Sequence, residues 1–480
     1  MDINIFFMWL GILALGAVIA VFAPKNLKSA VVGAAIASAI GICAAFFKTG
    51  VELPQGTLSY MMDIPLLLAS KGGAESIGIF HSDGYGFFMA LVVLAVSFLI
   101  AIYSGGYMSG EEHQGEFYSL FLVFVASMVG LIFSNHLIAF YIFWEITAFC
   151  SWRLIGLRRK PEHLAAANQA MLITSLGAVA MLSGIALIYK DTNTFSLASL
   201  KGYQPTVIVS LLILAGIFSK SAQIPLHLWL PDAGVAPTPV TALLHAAVLV
   251  KIGVYAYFRL FNATMVLDPR ISYWVGVISV ATALISSAAA ARENDIKRIL
   301  AYSTISQLSY IMFAFSLNTS TAVVAGFIYI LAHSFAKAGL FLAAGVVEHN
   351  THTKDITKLG GLKKMMPVTN AAFLLCALSI IGIPPLAGFF AKYSVISAAF
   401  DSHRFYSGAL LIAAAMMTMY YLMRFYKKVF TGSAGEAVAA LPDVREKSFS
   451  MLWVVMAFGL ISLILGVLIK FPTEILSKLL

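Results

Sequence analysis

The chain has 480 residues, of which 60% are hydrophobic and 11% charged. Soluble domains carry about 25% charged residues, so an ordinary soluble architecture is excluded; the length instead suits about a dozen or more spans of about 20 residues each. The net charge of +9 does not point to nucleic acid, because the basic residues lie in short segments between apolar runs, as membrane topology requires.

Taken in chain order, hydropathy predicts an all-α integral membrane protein with about 14 transmembrane helices. The first, Ile3–Phe22, follows Asp2 rather than a basic segment and is long for a signal-peptide core, so it reads as a retained span. Next come Ala30–Phe47, Gly86–Tyr107, Tyr118–Phe133, Leu137–Trp152, Ala167–Tyr189, Thr206–Pro225 and Val240–Phe258. The second half supplies Tyr273–Ala291, Leu300–Leu317, Ala322–Val347, Thr369–Phe400, Tyr406–Phe425 and Phe449–Ile469. Alternate loops differ in basic content, roughly 18 Lys and Arg against 8. The rich set includes Arg153, Arg158, Lys297, Arg298 and Lys354; the poor set includes Lys48, Lys71, Lys201 and Arg270. The positive-inside rule therefore predicts a multi-pass membrane protein with both termini outside; the cell membrane of a prokaryote is the expected location.

Two spans are interrupted. Lys220-Ser-Ala-Gln-Ile-Pro225 breaks the seventh, and Gly382-Ile-Pro384-Pro385 breaks the twelfth. Proline removes an N–H and clashes with the preceding turn, and unpaired backbone at membrane depth is tolerated only against protein or water. Breaks at matching positions in two halves predict inverted repeats around a transport site.

Five ionisable residues lie within apolar stretches: Glu145, Lys220, Lys251, Lys337 and Lys392. A charge at such depth costs about 2.5–3.5 kcal/mol on insertion scales, so these residues usually mark ion paths. Glu145 and Lys220 are expected to form a switchable pair: contact holds the lysine charged, and separation favours proton release. A static brace between helices is the alternative. Lys251 sits mid-span, too deep to snorkel, whereas Arg259 at the end of the same span is expected to snorkel. His333 and Lys337 are four apart and share a helix face with Tyr329. Lys392 follows the second break and is expected to be an outlet of the relay. His227 and His245 are expected to link through water, with ordinary packing histidines as the alternative.

Cys43, Cys150 and Cys376 lie in separate segments without metal-type spacing, and no nucleotide or metal motif occurs. Glu111, Glu112, His113 and Glu116 read as a solvated loop. The chain is therefore expected to carry no cofactor of its own.

Longer motifs give a family resemblance. Phe143-Trp-Glu145-Ile-Thr147, Lys220-Ser-Ala-Gln-Ile-Pro225-Leu-His227-Leu-Trp-Leu-Pro231-Asp232, Leu244-His245-Ala-Ala, Val250-Lys251-Ile-Gly253, His333-Ser-Phe-Ala-Lys337 and Gly388-Phe-Phe-Ala-Lys392 resemble the antiporter-like membrane subunits shared by respiratory complex I, Mrp cation/proton antiporters and energy-converting membrane-bound hydrogenases. Thr147-Ala-Phe-Cys-Ser-Trp152 with Ala236-Pro-Thr-Pro-Val240 is most similar to the hydrogenase type, the formate hydrogenlyase and Ech group. The resemblance implies two inverted five-helix repeats, at 108–260 and 261–430, between an N-terminal three-helix segment (1–107) and a C-terminal loop and helix (431–480). It also implies that Glu145, Lys220, Lys251 and Lys392 occupy the family's relay positions, with His245 and His333 as polar linkers.

By the same resemblance, the chain is a non-redox membrane subunit of an oxidoreductase complex. It would move protons, or exchange them for sodium. Its partners would be other membrane subunits and a hydrophilic redox arm holding Ni-Fe and iron–sulfur centres. An Mrp-type Na⁺/H⁺ antiporter subunit is the main alternative; an inert scaffold and a quinone oxidoreductase are the others.

Overall fold

A computed structural model describes residues 3–48, 79–81, 83–441, 444–446 and 448–479, with the side chains of 3–9 and 42–48 left outside that set. Lys71, Lys447 and the side chains of Cys43 and Lys48 lie outside the described residues. Helices α1 (Ile3–Phe22), α2 (Lys28–Lys48), α3 (Gly84–Tyr107), α4 (Gln114–Phe133), α5 (Leu137–Ile155), α6 (Pro161–Thr192) and α7 (Val207–Lys220) form the first half. A break at 221–237 leads into α8 (Thr238–Asn262). Then follow α9 (Pro269–Arg292), α10 (Ile296–Ser316), α11 (Ser320–Thr351), α12 (Pro367–Ile381), α13 (Ala387–Asp401), α14 (Phe405–Phe430), α15 (Phe449–Val467) and α16 (Lys470–Ser477).

Ten helices among the described residues are long and apolar enough to cross a membrane. The other expected spans meet shorter apolar helices, Leu10–Phe22, Lys28–Gly41, Val207–Lys220 and Pro367–Ile381. Over their whole length α1 and α2 run for 20 and 21 residues. The seventh and twelfth spans fall short because each is broken where the sequence predicts.

Both breaks have local causes. α7 ends where Ala222 takes φ +50° ahead of Pro225, and α12 ends where Gly382 takes φ +94° ahead of Pro384. Left-handed backbone favours glycine and stops a helix. At the second break the two half-helices touch backbone to backbone: a Cβ on Gly388 would collide with the Ser379 carbonyl.

The halves repeat each other upside down. The residue before α5 bridges the fourth residue after α6 (His136 with Ser196), and the residue before α10 bridges the fourth residue after α11 (Asp295 with Asp355). α6 and α11 are both 32 residues long and end in left-handed caps, Asn193 and His352. The Thr192 hydroxyl donates to the Ile188 carbonyl at 2.7 Å, and that of Thr351 to the Val347 carbonyl at 2.8 Å. The first bridge lies at the C-terminal face, where Ser134, Leu197 and Leu479 line one cavity. The second lies at the opposite face, where Ile296 N–H donates to the Lys354 carbonyl at 2.9 Å.

Burial follows this arrangement. α8 and α11 are enclosed along their full apolar windows. α6 and α14 expose Leu172, Leu176, Val179, Met416 and Tyr420, as expected of helices facing lipid or a neighbour. The side chains at 251, 333 and 337 are thus carried on stretches of helix buried within the protein.

Gly388→Ala is expected to lower stability by about 1–3 kcal/mol, the usual cost of overpacking, and to reduce Tm in detergent. Gly11→Ala, where a Cβ meets nothing within 4 Å, should leave Tm unchanged or raised.

Candidate functional site

Lys220 is the last residue of α7 and is fully buried. Its Nζ donates to the Trp144 carbonyl and to Thr147 Oγ1, each at 2.7 Å, and lies 5.0 Å from the centre of the Trp144 ring. The expected contact with Glu145 is not made: no Glu145–Lys220 ion pair occurs among the described residues. Glu145 is half-buried, and its Oε1 has no partner. Thr147 Oγ1 and the Trp144 carbonyl, on either side of Glu145 in sequence, take the Lys220 ammonium instead.

Lys251 is reached through an irregular stretch that the sequence did not foretell. Leu243–Ala247 is a π-helical segment, and Val248 takes φ −122° and ψ −75°. π-bulges free backbone groups and often mark functional sites. Here the carbonyl of His245 accepts from Lys251 Nζ at 3.0 Å. The same nitrogen is 2.9 Å from His333 Nδ1. An ammonium would donate to the neutral ring nitrogen, and a neutral amine would accept from Nδ1–H. One proton can therefore sit on either side of this contact.

Close by are three further buried groups. His245 packs on Phe341 with ring centres 4.5 Å apart, and the protein offers no partner to either of its ring nitrogens. His333 Nε2 and Lys337 Nζ are likewise unpartnered. Buried polar atoms almost always find a partner in protein or water, so four orphaned nitrogens in one enclosed region mark a place suited to water.

Lys392 lies on α13, just past the second break. Its Nζ donates to the Ile381 carbonyl at 3.2 Å and sits 5.4 Å over the Tyr310 ring. Ile381 is the last residue of α12, so the ammonium occupies a helix C-terminus, where cations are favoured. Tyr310 in turn stacks on Tyr329 at 5.5 Å, and the Tyr329 hydroxyl donates to Gln307 Oε1 at 2.7 Å. Tyr329 therefore serves the Lys392 side of the site, one turn from His333.

The structure brings Lys251, His245 and His333 together. Lys337 is one turn along α11 from His333, while Lys220 and Lys392 have separate anchors. His227 stays apart: it is half-exposed in the first break, and no hydrogen bond joins it to Lys220 or Lys251.

Two expectations are corrected. Arg259 does not snorkel; it is 6% exposed and paired with Asp83. Lys297 is not a loop cation: it is buried and bonded to Glu348 at 2.8 Å and to the Ala236 carbonyl at 3.0 Å. The 111–116 loop is held by ion pairs of Glu111 with Arg158 and of Glu116 with Arg153 and Arg159. Sequence reasoning missed Trp144 and Thr147 as ligands of Lys220, although both flank Glu145. Asp83 and Glu348 were missed because nothing local distinguishes them.

Residues 134–419 match the family described as NADH:quinone oxidoreductase/Mrp antiporter, TM. Residues 79–118 match that of NADH-Ubiquinone oxidoreductase (complex I), chain 5 N-terminus. The chain belongs to this antiporter-like family.

Relatives include the chloroplastic NAD(P)H-quinone oxidoreductase subunit 5 of Chara vulgaris, 34% identical over 81% of this chain and 62% of that protein. A probable K(+)/H(+) antiporter protein of Rhizobium meliloti, of the A/B type, is 33% identical over 87% of this chain and 42% of that protein. A Na(+)/H(+) antiporter protein of Staphylococcus aureus, of the A1 type, is 32% identical over 73% and 48%. The chain thus spans about half the length of the curated relatives it matches. The Mrp complex structure from Dietzia sp. has a chain of the same fold, with TM-score 0.87 and 23% identity over 100% of this chain and 97% of that one. These relatives are named as quinone-oxidoreductase and cation/proton antiporter proteins, and they lend no weight to the expected hydrogenase-type closeness.

In this antiporter-like protein, Thr147→Val removes one of two acceptors from Lys220. A hydrogen bond to a charged group is worth about 1.5–3 kcal/mol, so the variant should be less stable. In a double-mutant cycle with Lys220→Met the losses should not add. Strict additivity would show that the two side chains do not interact.

Proposed function

We propose that this chain moves protons across the membrane as the non-redox subunit of a larger membrane complex. The observation that carries the reading is the 2.9 Å contact of Lys251 Nζ with His333 Nδ1, two bases sharing one proton in an enclosed setting. Lys220 lies on one side of this centre and Lys337 and Lys392 on the other. Glu145, near Lys220 but out of contact, is the counter-charge that would draw Lys220 off Trp144 and Thr147. His245 and, more remotely, His227 extend the path through water.

The chain itself supplies no energy for this. Moving one charge against 100 mV costs about 2.3 kcal/mol, so the driver is external. In the first reading it is a hydrophilic redox arm with Ni-Fe and iron–sulfur centres in partner subunits. The second reading, an Mrp-type antiporter subunit exchanging Na⁺ for H⁺, is compatible with the antiporter relatives. Bacterial relatives and the loop charges support a prokaryotic cell membrane with the termini outside.

In vesicles holding the intact complex, Glu145→Gln and Lys251→Met are expected to cut proton movement at least about a hundredfold, the lower range for a positioned acid–base group, with assembly retained. Full pumping by both variants would leave only the scaffold reading. Nickel and iron–sulfur clusters purifying with the chain would fix the redox reading; small membrane partners alone would fix the antiporter reading.

A further inference from the structure

A cavity of about 620 Å³ opens at the C-terminal face of the molecule. Its rim is solvent-exposed at Lys201, Asn318 and Thr319, and its polar lining includes His81, Asp83 and Asn262. Its floor is the guanidinium of Arg259. That group is paired with Asp83, donates to the Tyr255 hydroxyl through Nε at 3.1 Å, and reaches the Ile132 carbonyl at 3.3 Å. The Tyr255 hydroxyl donates to the same carbonyl at 2.9 Å.

Tyr255 and Arg259 stand four and eight residues beyond Lys251 on α8. At 1.5 Å per residue the floor of the cavity is about 12 Å along the helix from the lysine, and Tyr255 is the rung between them. The pair straddles a boundary: the side chain of Arg259 is 8% exposed and that of Asp83 28%. Gly86 leaves the room they need, since a Cβ there would come within 3.1 Å of Asp83 Oδ1 and 3.3 Å of Arg259 Nη2.

We infer that this cavity is the proton port of the relay at the C-terminal face, and that the Arg259–Asp83 pair, seated on Tyr255, is the plug between its water and Lys251. The inference rests on the relay reading for what passes through the port. Burial works against the Asp83 carboxylate, but the Arg259 charge, its hydrogen bonds and the Gly86 amide hold the carboxyl below its usual range. The plug is therefore an ion pair under ordinary conditions, and a passive loss of Asp83 charge does not open it. What opens it is repulsion from behind. A proton arriving at Lys251 sets a second positive charge beneath the guanidinium in a medium that screens poorly. The free direction for Arg259 is outward, into the cavity, where Asp83 is wet and His81 Nε2 stands 4.0 Å from that carboxylate. A mere surface brace would need neither the open cavity above it nor a buried tyrosine leading from it to the lysine.

The test uses the intact complex in sealed vesicles, with Cys43, Cys150 and Cys376 replaced by serine. A membrane-impermeant maleimide applied at the C-terminal face should label Thr319→Cys and should not label Ile132→Cys, which is buried and keeps the carbonyl beneath the plug. Adding Asp83→Asn together with Arg259→Gln, which removes both charges at once, should speed labelling of Ile132→Cys at least tenfold and leave Thr319→Cys unchanged. If that pair of changes prevents assembly, Arg259→Lys, which keeps the charge and loses the fork, should give the same rise. Labelling of Ile132→Cys with the plug intact, or none after the plug is removed, would overturn the inference. Labelling needs no ion movement. Normal pumping by Lys251→Met would sink the relay while leaving the accessibility result standing.

Discussion

An ammonium taken out of water needs oxygen or nitrogen to bond, and an apolar helix has only its own carbonyls, already committed to the turn above. The architecture around the lysines follows from that shortage. α12 ends so that the Ile381 carbonyl can take Lys392. α8 widens into a π-turn so that the His245 carbonyl can take Lys251. At Lys220 the carbonyl of Trp144 is doubled up, accepting from Thr147 at 2.6 Å as well as from the lysine. The end of α12 and the first π-turn of α8 each lie at an amine, and a second π-turn, Phe258–Asn262, carries Arg259. Irregular backbone at this depth is tolerable only inside protein or beside water, which is why α8, α10 and α11 are so thoroughly enclosed.

The inverted halves give this device two ends. Lys220 ends the first broken helix and Lys392 follows the second, with Lys251 and His333 between them. Toward each face lies a buried cation paired with a partly exposed carboxylate: Arg259 with Asp83 at the C-terminal face, and Lys297 with Glu348 at the other. Such pairs are costly to break by loss of one partner. They are therefore suited to resist water until a charge arrives from within.

Much of this could be read from the chain, and the reason is contrast. Lys220, Lys251, Lys337 and Lys392 stand out because their neighbours are apolar. The prolines at 225, 384 and 385 betray the breaks for a similar reason, since proline has no place in a continuous span. What stayed hidden was whatever depends on backbone or on distant sequence. A freed carbonyl has no signature, so the anchors at His245, Trp144 and Ile381 were invisible. Arg259 sits where snorkelling is the usual outcome, and only the fold brings Asp83 to it from 176 residues away. Lys297 looked like a loop cation because its partner Glu348 arrives on another helix. For Glu145 and Lys220 the motif places the two residues near each other, and the structure shows the pair apart, with Lys220 held by Trp144 and Thr147.

The central claim is that Lys251 gives up and regains a proton rather than serving as a fixed positive strut. Lys251→Arg tests it most directly, because arginine keeps the charge and nearly the reach but does not deprotonate in proteins. The measurement is proton translocation by the assembled complex in vesicles. The account predicts that translocation is lost while assembly is kept. Translocation at the unmodified rate would contradict it, since a permanent cation would then serve as well as an exchanging one.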